Sequence, residues 1–257
     1  MSTQYTFRLD NFRIDNTRSR HEDTDFVSVS LAVGARPPQT QSRAMGDLNN
    51  GTFDVGLVFD NISVADNETA VFTYAIVNSG HTDPSAAENI LMQATAKVAQ
   101  VGAQAAATAV GEAIGVAAGA AIGTAALPVI GTALGALAGW LVGEAGNLIF
   151  TNCDGAVAAG MHPLTGAQLR AATAGGNALQ QSDDNPGTDS NSGCGSNSQY
   201  IVNWSVTFIS EIPEQADWRF CSKCSALFFD GFPEQGVCPA GGAHDKGQSF
   251  NFVLKLI

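Results

Sequence analysis

The chain has 257 residues, 45% of them apolar and only 14% charged. So few charges exclude a disordered chain, and the apolar fraction is enough for a real core. Net charge is −12 and the isoelectric point about 4.5, a balance that repels phosphate backbones and argues against nucleic-acid binding.

The acidic surface also repels anionic lipid, so contact with a membrane has to be apolar, receptor-led or triggered by acid. The first ten residues carry no basic stretch ahead of an apolar run, so no secretory leader is expected. From there to residue 80 the pattern is that of strands. Tyr5, Phe7 and Leu9 alternate with polar neighbours, and Phe12 and Ile14 continue in a shifted register. Val27, Val29, Leu31 and Val33 share one face of the next strand. Phe26, Ser28, Ser30 and Ala32 share the other, which is smaller and more polar, so the strand is expected to be half-buried. Residues 34–51 contain Pro37, Pro38 and Asn49-Asn50-Gly51 and are expected to be loop. Residues 53–59 and 69–77 again favour strands of an antiparallel sandwich.

The acidic run ahead of the second strand contains Asp23 and Asp25, which with Asp10 or Asp60 could offer oxygen ligands to calcium. A solvated acidic loop with a capping aspartate is the plainer reading of the same residues.

Near residue 84 the character changes. Ser85 is a candidate helix cap, with Glu88 completing a capping box. Residues 86–150 are rich in Ala, Gly, Val and Leu without strand alternation. Gly111, Gly115, Gly119 and Gly123 fall every fourth residue; after Leu127-Pro128, Gly131, Gly135, Gly139 and Gly143 resume the spacing. Positions four apart share a helix face, so each arm of a helical hairpin would carry a bare glycine ridge. In water each such glycine costs about 1 kcal/mol relative to alanine, which only close helix contact offsets. Pro128 places the turn.

The second arm, residues 129–150, would be about 33 Å long, enough for the hydrocarbon core of a bilayer. No charge lies between Glu112 and Glu144, which would sit at similar height where the hairpin enters a membrane. Both are candidate pH sensors, because protonation lowers the cost of insertion. Two other uses fit the same residues: a hairpin buried permanently in the body, or zippers packing between protomers in an oligomer.

Beyond residue 150 the pattern weakens. Residues 180–198 are expected to be a polar loop, 200–210 a strand, and 211–217 a short acidic linker. Cys153 and Cys194 flank this stretch and are either a disulfide pair or buried thiols. The closing residues contain Cys221, Cys224, Cys238 and His244, spaced C-x2-C-x13-C-x5-H. Three thiols and an imidazole can close a tetrahedral structural zinc site, and some forty residues are few to fold without a staple. A disulfide among the three cysteines, or a redox CxxC, would use the same residues; aromatic neighbours Trp218, Phe220, Phe228 and Phe229 speak against redox chemistry. A closed four-ligand site leaves no open position, and no catalytic triad or phosphate loop stands out, so an enzyme is not expected. His21, His81 and His162 stand alone.

The stretch Trp218-Arg-Phe-Cys221-Ser-Lys-Cys224, with Gly236-Val-Cys238-Pro-Ala-Gly-Gly-Ala-His244, resembles a repeat of secreted actinobacterial and fungal proteins, a largely uncharacterised family. Cys194-Gly-Ser-Asn-Ser-Gln-Tyr200 with Trp204 resembles a segment of the same proteins. The likeness covers the last quarter of the chain and implies an extracellular or cell-surface binding role, including carbohydrate recognition. The zipper resembles the hairpins of pore-forming proteins as a pattern.

These readings combine into an α+β chain. Residues 1–85 and 151–212 form an antiparallel β-sandwich, 86–150 an inserted glycine-zipper helical hairpin, and 213–257 a small zinc-ribbon-like module. The expected function is toxin-like membrane insertion or pore formation by residues 98–150, with membrane lipid, a cell-surface receptor or a glycan as partner and a homo-oligomer as the working state. A self-assembling surface protein and a lectin-like binding module are the alternatives. The expected location is extracellular or directed at a host membrane.

Overall fold

The computed structural model describes residues 2–19, 22–80, 83–112, 154–187, 197–212, 214–234 and 236–255. Five strands come first: β1 (Ser2–Asn16), β2 (Asp23–Val33), β3 (Gln39–Leu48), β4 (Gly51–Ala65) and β5 (Thr69–Asn78). Helix α1 (Pro84–Glu112) follows, then β6 (Gly155–Thr165), the short α2 (Gly166–Ala172), β7 (Ala178–Pro186) and β8 (Gln199–Ile212). The closing module holds β9 (Glu214–Phe220), β10 (Leu227–Phe229) and β11 (Phe252–Lys255).

The body is two four-stranded antiparallel sheets, ordered β4-β1-β8-β7 and β3-β2-β5-β6. Alternation in β1 sends Tyr5, Phe7, Leu9, Phe12 and Ile14 inward, all fully buried. The shift in that alternation is real: pairing with both neighbours slips between Leu9 and Asn11. This local irregularity keeps Phe12 and Ile14 on the core side. The core joins the two sheets. Phe7 of β1 stacks on Phe72 of β5, and Phe72 meets Trp204 of β8 at 5.5 Å between ring centres. Each such buried ring contributes about 1.5–3 kcal/mol through lost water contact.

Strand β2 departs from expectation. Its face of Val27, Val29, Leu31 and Val33 lines the core, but Phe26, Ser28, Ser30 and Ala32 are buried too. The cover is α1, which lies along the outer face of β2 and β5. Its buried positions Ala87, Leu91, Ala94, Thr95, Ala99, Ala103 and Ala106 recur at helical spacing. At Gly102 a Cβ would come within 2.7 Å of Met161 Sδ and 3.0 Å of Val71 Cγ1, so the missing side chain sets how closely helix and sheet approach. Thr95 fills the middle of the contact: its hydroxyl lies 2.7 Å from Ser28 Oγ, and Thr73 Oγ1 donates to its carbonyl at 3.3 Å. The helix start also differs from expectation. Asp83, not Ser85, caps it, its Oδ1 accepting the N–H groups of Ser85 at 3.0 Å and Ala86 at 3.1 Å. Pro84 takes the first helical position, where its missing N–H costs nothing.

Three stretches expected to be irregular are strands. Residues 39–48 form β3, residues 178–186 form β7, and the linker at 211–217 is occupied by the end of β8 and most of β9. Their alternation is masked because β3 and β7 are edge strands with largely polar, exposed side chains. Those side chains close the sandwich. Gln41 of β3 offers Nε2 to the Val58 carbonyl at 2.7 Å and accepts the Val58 N–H at 3.2 Å, completing the edge of β4 as another strand would. Arg43 Nη1 donates to the Val55 carbonyl at 2.6 Å. On the opposite edge Asn185 Oδ1 of β7 accepts the Ala159 N–H of β6 at 3.1 Å. Edges satisfied in this way are poor templates for strand addition.

Candidate metal centre and the neck of the inserted segment

The closing module is a three-stranded sheet, β10-β9-β11, beside two tight turns. In the first, Cys221 N–H reaches the Ala226 carbonyl at 2.8 Å and Ser225 N–H reaches the Cys221 carbonyl at 3.0 Å. In the second, Cys238 N–H reaches the Gly242 carbonyl and Gly241 N–H reaches the Cys238 carbonyl, both at 2.8 Å. Gly241 and Gly242 take φ of 98° and 70°, which only glycine adopts cheaply. The turns aim four side chains at one point: the ligand atoms of Cys221, Cys224, Cys238 and His244 all lie within 4.8 Å of one another.

The spacing fits a metal. A tetrahedron with metal–sulfur bonds of about 2.3 Å has sulfur–sulfur edges of about 3.8 Å. Cys221 Sγ and Cys238 Sγ are 3.8 Å apart, and Cys224 Sγ is 3.7 Å from His244 Nδ1. All three cysteines are free thiols, so the disulfide alternative is not formed here. The four residues could therefore hold a metal ion through three sulfurs and one imidazole nitrogen, a set compatible with structural zinc. Burial raises the Cys221 thiol, but N–H donors from Asp245, Cys224 and Lys223 and the His244 side chain bring it down to about 5. Cys224 moves the other way, through burial and its two sulfur neighbours. One thiolate is thus prepared in advance, and a metal would ionise the others. Phe228, in the sequence no more than an aromatic neighbour, stacks flat on His244, 4.7 Å between ring centres, and fixes the imidazole plane.

A second polar cluster sits where the chain leaves the body after β5 and rejoins it at β6. Asn78 pairs with both Asp25 and Gly155, so β2, β5 and β6 meet there. Asp23 is completely buried, and its oxygens accept the N–H groups of Arg18 and Ser19, both at 2.7 Å, and of Asn78 Nδ2 at 2.9 Å. Asp25 is equally buried; burial first, then the charge of Asp23, hold its carboxyl well above the usual carboxylate range. Tyr200 Oη lies 2.7 Å from Asp23 Oδ2 and 2.9 Å from Asp25 Oδ2. One hydroxyl proton serves one carboxylate, so the consistent arrangement is a protonated Asp25 donating to Tyr200, which donates to Asp23. The Asp23 oxygens are occupied by N–H and O–H donors, the partners of an anchored anion rather than of a calcium ligand. Asp10 and Asp60 are not in this cluster: Asp10 lies near Arg8, and Asp60 accepts from Thr6.

His162 is not alone. Its Nε2 lies 2.7 Å from Asp183 Oδ2, which also accepts Tyr74 Oη at 2.8 Å and Trp204 Nε1 at 3.1 Å. Burial raises the Asp183 carboxyl, but the bond to His162, its charge, and the Tyr74 and Trp204 donors outweigh this and hold it low. These side chains come from β5, β6, β7 and β8 and tie the two sheets together at one edge. Spacing in sequence carried no sign of a contact that needs four strands.

Gly111 and Glu112 are the last residues of α1. Gly115, Gly119, Gly123, Gly131, Gly135, Gly139, Gly143, Glu144, Cys153, Cys194, His21 and His81 lie outside the described residues. Among the described residues no helix is long and apolar enough to cross a membrane. A scan of family models, a search of curated proteins and a search of solved structures each find no match to this chain.

Proposed function

We propose that the protein delivers the apolar segment that begins with α1 into a membrane, in the manner of a pore-forming toxin. The observation that carries this reading is the thin contact beneath α1. Among its described residues Leu91 is the only large side chain that is fully buried; the other buried positions are alanine, glycine and threonine. The sheet face below is Ser28, Ser30, Thr73, Ala32 and Ala75 with Phe26, Val71 and Val77. Small and hydroxyl-bearing residues accept water at low cost, so this face tolerates loss of its cover better than the inner face would. The chain beyond Glu112 has no charge until Glu144 and repeats glycine every fourth residue, the pattern of helices that associate in lipid. The closing module is held by zinc at Cys221, Cys224, Cys238 and His244, a structural role with no open ligand position. It acts as the targeting end.

The test is dye release from neutral liposomes, comparing the full chain with Gly119→Leu/Gly135→Leu. Leakage that the double substitution abolishes supports membrane insertion through the glycine ridges. Sealed vesicles together with particles that grow with concentration favour zippers packing between protomers. A lectin-like role is favoured by one observation: Trp218, Phe229 and Phe232 cluster in the module, with Phe232 67% exposed. Retention on a glycan array without leakage would select it.

A further inference from the structure

The membrane reading needs a device that keeps α1 on the body until the right moment. Every covalent path into the inserted segment passes through one narrow place. It leaves through Asn78, Ser79 and Gly80 and returns through Asp154 and Gly155. Asp154 Oδ1 accepts the Gly80 N–H at 3.1 Å, and its Oδ2 accepts Ser79 Oγ at 3.4 Å. One carboxylate therefore joins the outgoing chain to the incoming one. Ser79 N–H is held by the Thr24 carbonyl at 2.9 Å, and Thr24 N–H by Asn78 Oδ1 at 2.9 Å. Asn78 Nδ2 is held in turn by Asp23 Oδ1 and, at 2.8 Å, by Ser19 Oγ. The set is almost free of solvent: Asp23 is 0% exposed, Asn78 and Ser79 1%, and Asp154 4%.

We propose that Asp154 and Asp23 form an acid-opened clasp at this neck, whose protonation frees α1 while the two sheets stay folded. A carboxylate accepts several N–H and O–H donors at once; its protonated form is a weaker acceptor and adds a donor of its own. Protonating Asp154 loosens Ser79 and Gly80, three residues ahead of the Asp83 cap. Protonating Asp23 loosens Asn78, the last residue of β5. Among the described residues, the groups that face the pair include Asp25 and Tyr200, from β2 and β8, and Arg18, whose guanidinium lies against Gly155. Asp47 of β3 meets the neck through the Thr24 hydroxyl at 2.6 Å. Both oxygens of each carboxylate are spent on N–H and O–H donors, and acid is what removes that acceptor charge, so acid is the direction in which the neck gives way. This places the trigger in the body, away from Glu112 and Glu144.

The inference rests on the membrane reading for its purpose but is tested without lipid. Hydrogen exchange of residues 84–112 is followed in the full chain from about pH 7.5 to about pH 4.5, corrected for intrinsic rates. Wild type should lose protection in α1 at least about tenfold at the acid end while β1 and β8 remain protected. Asp154→Asn, which keeps shape and removes charge, should show the open pattern already at neutral pH, and Asp60→Asn should behave as wild type. The proposal is overturned if wild-type α1 stays protected in acid, if it opens only together with β1 and β8, or if a folded Asp154→Asn chain matches wild type throughout. Should Asp154→Asn fail to fold, the wild-type titration decides alone. An α1 that opens in acid beside vesicles that never leak would sink the membrane reading and leave the clasp standing.

Discussion

Chelation at the candidate metal centre of the closing module is the most quantitative perturbation the structure offers. The module's buried apolar cluster is Cys221, Phe228 and Cys238, with Cys224 partly buried against it. Full burial of Phe228 contributes about 1.5–3 kcal/mol. Phe220, Leu227, Phe232, Phe250 and Phe252 remain between 40% and 81% exposed and contribute little. A structural zinc contributes roughly 10–16 kcal/mol of apparent binding free energy, several times what this core supplies. A chelator at neutral pH should therefore unfold residues 214–255 and leave the two sheets intact. Cys238→Ser should act in the same direction, because it removes one sulfur of the Cys221–Cys238 edge and with it one of the four candidate ligands. Trp218 reports the event through its contact with Phe229, 5.7 Å between ring centres. The assay pairs elemental analysis with heteronuclear NMR, following module and body signals separately during chelation. Protein purified without added metal should carry one zinc per chain. Sub-stoichiometric metal with unchanged module signals in excess chelator would show that the module stands without zinc.

Three further outcomes are expected. Asp25 is held above its usual value, so its contribution is fully present below about pH 4 and is lost as pH rises through the raised folded value, by up to about 1.4 kcal/mol per pH unit. Asp25→Asn should flatten that slope in urea melts; an unchanged slope would mean that Asp25 is not the group responsible. Asp183 is held low, so it stabilises above the ordinary carboxylate range and this is lost as pH falls through its lowered value. Asp183→Asn should cost about 1.5–3 kcal/mol by weakening the His162, Tyr74 and Trp204 contacts, and a melt within error of wild type would contradict this. Gly102→Val places a branched side chain against Met161 and Val71 and should cost about 1–3 kcal/mol, appearing first as faster exchange in α1. Unaltered exchange there would mean that the helix does not depend on close approach.

How much of this was legible in the sequence depended on whether one neighbour or several set a residue's environment. Phe7, Leu9 and Val29 face a core on one side, and alternation reveals them directly. The candidate metal ligands are legible for a similar reason: two short turns bring them together, and spacing within a turn is local. Strand β3 was hidden because an edge strand needs only backbone pairing on one side, and its Gln41 and Arg43 are spent on the open edge of β4. Ser28 and Ser30 suggested a solvated face because a helix of small residues leaves room for hydroxyl groups beneath it. The clasp could not be read at all. Asp23 and Asp154 are separated by the whole inserted segment, and only the pairing of β5 with β2 and β6 brings them to one place.

Membrane delivery of the segment that begins with α1 requires its apolar residues beyond Glu112 to enter lipid. Hydrogen exchange of residues 113–150, with and without neutral vesicles at about pH 4.5, addresses it most directly. Strong protection of residues 129–150 that appears only when vesicles are present is the expected result. Exchange indifferent to lipid, or protection that rises with protein concentration in its absence, would contradict it.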